Sequence, residues 1–462
     1  MKKPTSNTIY SLHNNKAVLS SFVLVAFVVF LIRIPELSYW WDEWTILESA
    51  TDQPFHGLFV NHMGHFFPLG RLFFLVQVEL FGPHYIWLII TNFFLVLAIC
   101  LKTFSILCQI GLLNKNQLFV FYPLIALYLM TEGVQYDVQW GFQIAWLLSV
   151  LFALFTTQEL LNPTVRLTRL VPYFLLTWLS LGSNLPLVAL LISAFVLTTQ
   201  KTYFLKRVNV MLILNGAAVC LTFLGMEIAK RNNPTDSTAI GSQLDLVFVL
   251  THLVEILKIA IVMATSWLIA PLTIVVPSGF INFEGFAEYL QDNFVLALFL
   301  FSSMLFIALQ ISRSQVNHGR MVLFPGSIFI SLYFSCLVVA LGRYGNFGSF
   351  FHVRYGPVFS LYSFLYWIAI FRCTHLKKTK RNVVINQGLA GVVLATCLFS
   401  VLVFPWTLKS ASFPGRVYET GTWVNNLKQC RSSEQIEVLR AIQPVMDGGR
   451  VCRIAKTLEL IP

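Results

Sequence analysis

A chain of 462 residues that is 56% hydrophobic, 15% aromatic and only 11% charged, with a mean hydropathy of +0.71, does not fit a water-soluble domain of that size. Its formal net charge of +11 does not point to nucleic acid, because the Lys and Arg residues are scattered among the connections rather than striped along one face. Apolar runs long enough to cross ~30 Å of hydrocarbon recur without the alternating pattern of a β-barrel, so the expected fold is all-α, a polytopic transmembrane helical bundle.

The first expected span, residues 17–34, follows Lys2, Lys3 and Lys16 and has no small-x-small cleavage site before Pro35, which reads as a retained anchor. Directly after it comes Ser38-Tyr39-Trp40-Trp41-Asp42-Glu43-Trp44. Two adjacent carboxylates at the membrane boundary of a chain so poor in charge are a functional-site hypothesis. The alternative reading is an interfacial tryptophan belt with acids that solvate a loop.

Further spans are expected near 84–101, 117–132, 140–157, 207–227, 294–311, 321–341, 356–371 and 383–404. Residues 171–199 divide into two short apolar halves at Gly182-Ser183-Asn184-Leu185-Pro186. Arg166 and Arg169 precede them and Lys201, Lys206 and Arg207 follow, so a hairpin that leaves and re-enters from one face is expected. Residues 246–276 carry His252, Glu255 and Lys258 three apart on one helical face. They are expected to make two short crossings or a re-entrant segment, since a single crossing would put Arg372, Lys377, Lys378, Lys380 and Arg381 outside.

This assignment gives seventeen basic residues to cytoplasmic connections, with the amino terminus inside, the carboxy terminus outside and 11 to 13 spans. The external face then holds the first loop (35–83), where an amphipathic helix is expected, the loops near 131–141, 228–245 and 342–355, and the tail. Residues 1–404 form the membrane domain. Residues 405–462 carry 13 charged residues in 58, against 40 in the preceding 404, and read as a short soluble segment that packs on the external loops.

Cys100, Cys108, Cys220, Cys336, Cys373 and Cys397 lie in or beside spans and read as small apolar filler. Cys430 and Cys452 fall in the tail and, in an oxidising compartment, are positioned to close a 21-residue loop. His62 and His65 lie near the acidic pair. Hydrogen bonding to sugar or phosphate is their expected use, with metal ligation the alternative, because no third ligand is fixed by spacing. There is no Walker A sequence, no GxGxxG and no GxSxG, so ATP hydrolysis, dinucleotide binding and serine hydrolysis have no positive support.

The first loop carries a pattern: Asp42-Glu43, then His65-Phe66-Phe67-Pro68-Leu69-Gly70-Arg71-Leu72-Phe73-Phe74, ending Glu79-Leu80-Phe81-Gly82. In this the chain resembles the GT-C superfamily of integral membrane glycosyltransferases, particularly the branch of protein O-mannosyltransferases and bacterial lipid A aminoarabinose transferases. The likeness covers roughly residues 17–200 in order and hydropathy. Phe67 stands where the family's segment has its first proline, so the match is partial.

The resemblance implies a sugar donor carried on a polyprenyl phosphate, presented at the external face with its lipid held between spans. It implies Asp42 as general base on an acceptor hydroxyl and Glu43 as a second acid that positions acceptor or metal. No cofactor is fixed, and Mg or Mn remains an open alternative. A departing lipid phosphate needs positive charge. Arg343, His352 and Arg354 supply it in the segment 342–355, with Arg71, Lys258 and His65 as further candidates; snorkelling is the alternative for the two loop arginines. Asp137 is a candidate for acceptor sugar, with a solvated loop residue as its alternative. Trp41 and Trp44 are candidates for stacking on sugar, and belt placement is the alternative there.

The implied acceptor is an envelope glycan or lipid, such as lipopolysaccharide or O-antigen, at a bacterial inner membrane. The rival readings are a glycan polymerase or ligase and a lipid-linked oligosaccharide flippase or other transporter. The best carboxylates flank a span rather than lying within one, which favours the transferase.

Overall fold

The computed structural model describes residues 42–52, 55–59, 66–82, 84–111, 134, 138, 141–162, 164–197, 204–232, 246–273, 283–316, 324–343, 355–374 and 448–458. Every element among them is helical. We number the α-helices α1 (Asp42–Asp52), α2 (Pro68–Phe81), α3 (Ile86–Gln109), α4 (Ile144–Leu161), α5 (Leu167–Leu181), α6 (Leu185–Val196) and α7 (Phe204–Asn232). The second half comprises α8 (Leu246–Thr251), α9 (Leu253–Thr273), α10 (Phe283–Asp292), α11 (Phe294–Val316), α12 (Phe324–Arg343), α13 (Gly356–Thr374) and α14 (Gly448–Thr457).

Among the described residues, α3, α4, α7, α9, α11 and α12 contain stretches long and apolar enough to cross a membrane. The chain is therefore a multi-pass membrane protein. α13 has 19 residues and is a buried helix: Ser360, Tyr362, Ser363 and Tyr366, with Tyr355 just before it, are enclosed by protein. Its polar groups find internal partners, as where Trp367 Nε1 donates to the Leu268 carbonyl at 2.7 Å and Tyr366 Oη donates to that of Met304 at 2.9 Å. α7 and α11 are the opposite case, with large apolar side chains such as Phe223 and Phe299 left exposed on the outside of the bundle.

Helix ends follow local chemistry. Pro68 opens α2, where a missing N–H costs nothing, and Gly82 closes it at φ +56°, its N–H donating to the Val78 carbonyl at 2.7 Å. Gly182 ends α5 at φ +60°, a turn follows over Gly182–Asn184, and Pro186 sits in the first turn of α6.

Side-chain contacts define two ends of the bundle. At one end α3 and α4 are tied by Lys102 to Gln158 and by Gln109 Nε2 to Asn162 Oδ1 at 3.0 Å. Arg207 Nη2 donates there to the Leu161 carbonyl at 3.0 Å, and Arg169 lies 3.6 Å from Glu159. At the other end Phe66 packs over Gly182 and Gly225. α5 and α6 therefore leave the basic end, turn at Gly182 and return, which is the hairpin that their flanking arginines and lysines predict.

Residues 246–273 exclude one of the two expected alternatives. They form the short helix α8 and one continuous 21-residue helix, α9, so they do not divide into two short crossings. The chain nevertheless comes back before α11: Lys258 Nζ lies 5.8 Å from the Phe294 ring, and Thr265 Oγ1 is 3.5 Å from the Ala297 carbonyl. α9 and α11 thus start from the same end.

Candidate functional site

α1 is built around its buried side. Glu43, Trp44, Ile46 and Leu47 have no exposed surface, and Ile46 and Leu47 follow at the i+3 and i+4 spacing of one helical face from Glu43. A carboxylate taken out of water needs donors, and Glu43 has one: Tyr85 Oη donates to Glu43 Oε1 at 2.7 Å. The same hydroxyl accepts from the Gly141 backbone N–H at 2.8 Å. Glu43 has further interactions beside this bond.

Three segments distant in sequence meet in this contact. Tyr85, 3% exposed, stands at the start of α3 and is carried there by the hairpin of α2 and α3. That hairpin is tied by Thr91 Oγ1 to Gln77 Oε1 at 3.2 Å and by stacked Phe81 and Trp87 rings with centroids 5.0 Å apart. Gly141 opens the turn Gly141–Gln143 that leads into α4. A Cβ at Gly141 would lie 2.9 Å from Glu43 Oε1 and 2.8 Å from Leu88 Cδ1, so a side chain there would displace the carboxylate. Two residues on, Gln143 is fully buried, and among the described residues neither its Oε1 nor its Nε2 has a hydrogen-bond partner.

Asp42 is the first residue of α1, about 100° around the helix axis from Glu43. The two acids therefore have different places on the helix, with Glu43 facing the core. Trp44 is wholly enclosed in the hydrophobic core, so its ring packs against protein and has no free face for a sugar.

Arg71 is 1% exposed; its Nη1 donates to the Gly57 carbonyl and its guanidinium lies 5.1 Å from the Phe67 ring. Burial pushes its pKa down to about 10, which still leaves it charged at neutral pH. It braces α2 against the turn His56–Phe59, and Phe67 is the ring it covers. Lys258 pairs with Glu255 at 2.8 Å on a half-exposed stretch of α9, and no contact among the described residues brings it to Glu43.

Tyr355, which follows Arg354 in the chain, meets Trp146 edge-on with ring centroids 5.4 Å apart. Trp146 lies in the first turn of α4, so α13 starts at the end of the bundle that holds Glu43. α14 packs on α1, burying Val451, Ile454 and Ala455. Cys452 is disulfide-bonded, and its partner, expected to be Cys430, lies outside the described residues. Also outside them are Trp41, His62, His65, Asp137, His352 and Arg354, and the side chains of Asp42 and Arg343.

The sequence reading missed Tyr85, Gly141 and Gln143. Tyr85 and Gly141 lie 42 and 98 positions from Glu43, and nothing in the local sequence links them. The described residues contain no group of three or more His, Cys, Asp and Glu side chains arranged to hold a metal ion. Comparison with known proteins finds no matching family model, no matching curated protein and no matching solved structure.

Proposed function

We propose that the protein is a membrane glycosyltransferase that moves a sugar from a polyprenyl-phosphate donor to an envelope glycan or lipid acceptor on the external face. The observation that carries this reading is the integration of one of the two acids, Glu43, into the scaffold. Glu43 is buried and held by a tyrosine hydroxyl from a separate element, whereas acids that merely solvate a loop would lie in water.

The reaction follows from the chemistry of the groups. A sugar hydroxyl is a weak nucleophile, and the Asp42 carboxylate accepts its proton as the oxygen attacks the anomeric carbon. The bond from that carbon to the phosphate oxygen breaks, and polyprenyl phosphate leaves with the electron pair from the opposite side, inverting the configuration. A positioned base contributes about 10²- to 10⁴-fold. Arg354, with Arg343 and His352, neutralises the phosphate. The start of α13 beside α4 supports this, because the residue after Arg354 is anchored at the same end of the bundle as Glu43.

Sidedness is supported by the tail. A stable disulfide at Cys452 belongs to an oxidising compartment, and its helix rests on α1, which carries the acids. At the other end Lys102, Arg169 and Arg207 match the positive-inside bias. The test is transfer of radiolabelled sugar from a polyprenyl-phosphate glycolipid extract to envelope glycan by the purified protein in proteoliposomes. Transfer above protein-free vesicles is expected, and its absence across donor extracts contradicts the reading.

A further inference from the structure

We infer that Gln143 recognises the sugar of the donor, its side-chain amide exchanging hydrogen bonds with a sugar hydroxyl. That the sugar is the donor's rests on the transferase reading above; the assignment of the amide to a ligand hydroxyl does not.

Gln143 stands where a side chain usually serves the fold, and it performs none of that service. It directly precedes α4 with φ −70° and ψ −2°, yet its side chain makes no capping hydrogen bond. It has no exposed surface, and among the described residues neither Oε1 nor Nε2 has a partner. Buried polar groups are nearly always paired within the protein, and an exception calls for a functional explanation.

The turn that carries the amide is held in place. The Gly141 backbone N–H donates to Tyr85 Oη at 2.8 Å, and the turn packs against α1, α2 and α3. An enclosed amide in a fixed position discriminates strongly, because a ligand without the matching group leaves it unpaired.

The chemistry of the amide selects that group. Oε1 only accepts and Nε2 only donates, so a group that does both satisfies the whole side chain. In a polyprenyl-phosphate sugar the isoprenoid chain does neither, and the ionised phosphate oxygens only accept. The sugar hydroxyls donate and accept alike.

The place of the amide on α4 selects the donor sugar. Gln143, Trp146 and Ser149 follow at intervals of three along one side of the helix. Ser149 is fully buried too, and its Oγ has no partner among the described residues. Thr156 and Thr157 on the same helix instead donate to the carbonyls four residues back, at 3.0 and 2.9 Å. Six residues of helix span about 9 Å, so this strip of polar atoms runs from the start of α4 into the bundle. Between them Trp146 meets Tyr355, the residue after Arg354. A sugar tethered to a membrane lipid lies at that depth, which fits the donor.

The test uses the full-length protein in proteoliposomes with two labelled probes, the polyprenyl-phosphate glycolipid extract and sugar-free polyprenyl phosphate. Gln143→Leu is expected to weaken glycolipid binding by about 10- to 100-fold and to leave the affinity for polyprenyl phosphate unchanged. Equal losses for both probes, no loss, or no glycolipid binding by the wild type overturns the inference.

Gln143→Met, which keeps the length of the side chain, repeats the comparison where Gln143→Leu folds poorly. A lower Tm for both ligand-free variants would make the amide structural and overturn the inference as well. A selective loss of glycolipid binding in a protein that transfers no sugar would instead sink the transferase reading and leave the ligand site at Gln143 standing.

Discussion

The Phe66 carbonyl rests against the bare α-carbon of Gly182, where a Cβ would stand 1.5 Å from the oxygen. Gly182 also holds φ at +60°, and the Phe66 ring tilts onto Trp178 with centroids 5.4 Å apart. The segment that enters α2 is in this way seated on the turn between α5 and α6.

Gly182→Ala meets both a left-handed backbone penalty and a collision with main chain that cannot rotate away. Together these are expected to cost about 2–5 kcal/mol. Thermal unfolding in detergent should show a clear fall in Tm or loss of monodisperse protein. An unchanged Tm contradicts the described seating of Phe66.

Gln143 makes the opposite forecast. An unsatisfied buried polar group costs about 1–3 kcal/mol, and among the described residues this amide has two unpartnered atoms in the core. Gln143→Leu is similar in size and removes both, so Tm should hold or rise. A drop of several degrees would mean that the amide has a stabilising partner in the folded protein.

The assignment of faces has its own measurement. Reporter fusions after residue 382 and after residue 462 are expected to report opposite sides of the membrane, and non-reducing peptide mapping is expected to recover Cys430 joined to Cys452. The same side for both fusions contradicts the topology. A different partner for Cys452 corrects the path of the tail.

Much of the fold is legible in the sequence because long apolar helices announce themselves. The expected spans at 84–101, 140–157 and 294–311 correspond to α3, α4 and α11 with ends shifted by up to eight residues. The break at Gly182-Pro186 and its basic flanks reveal the hairpin, since glycine and proline act locally. The shape of 246–273 is less legible: an apolar run does not disclose that it forms a short helix followed by one continuous helix.

The site divides in the same way. Asp42 and Glu43 stand out as charge among tryptophans, but the contacts that define Glu43 come from elements distant in the chain. A tyrosine near a membrane boundary has an ordinary explanation as an interfacial residue. Only the packing of α1, the hairpin of α2 and α3 and the turn at Gly141 turns Tyr85 into a carboxylate donor. Trp44 is the converse: its sequence context suggests a sugar platform, while the helix turns it into the core.

Donor binding tests the proposed role of Arg354. Replacing a phosphate-binding guanidinium removes its bidentate fork, so Arg354→Ala is expected to weaken binding of polyprenyl phosphate by ten-fold or more, with Arg354→Lys recovering part. Unchanged affinity in folded Arg354→Ala, measured by displacement of the labelled glycolipid extract, would assign Arg354 to snorkelling.

Asp42→Asn bears most directly on the central claim, because it keeps the size of the side chain and removes its capacity to accept a proton. We expect the variant to fold and to bind the polyprenyl-phosphate donor as wild type does, while transfer of labelled sugar to envelope glycan falls by about 10²- to 10⁴-fold. Near-normal turnover by Asp42→Asn would contradict the account.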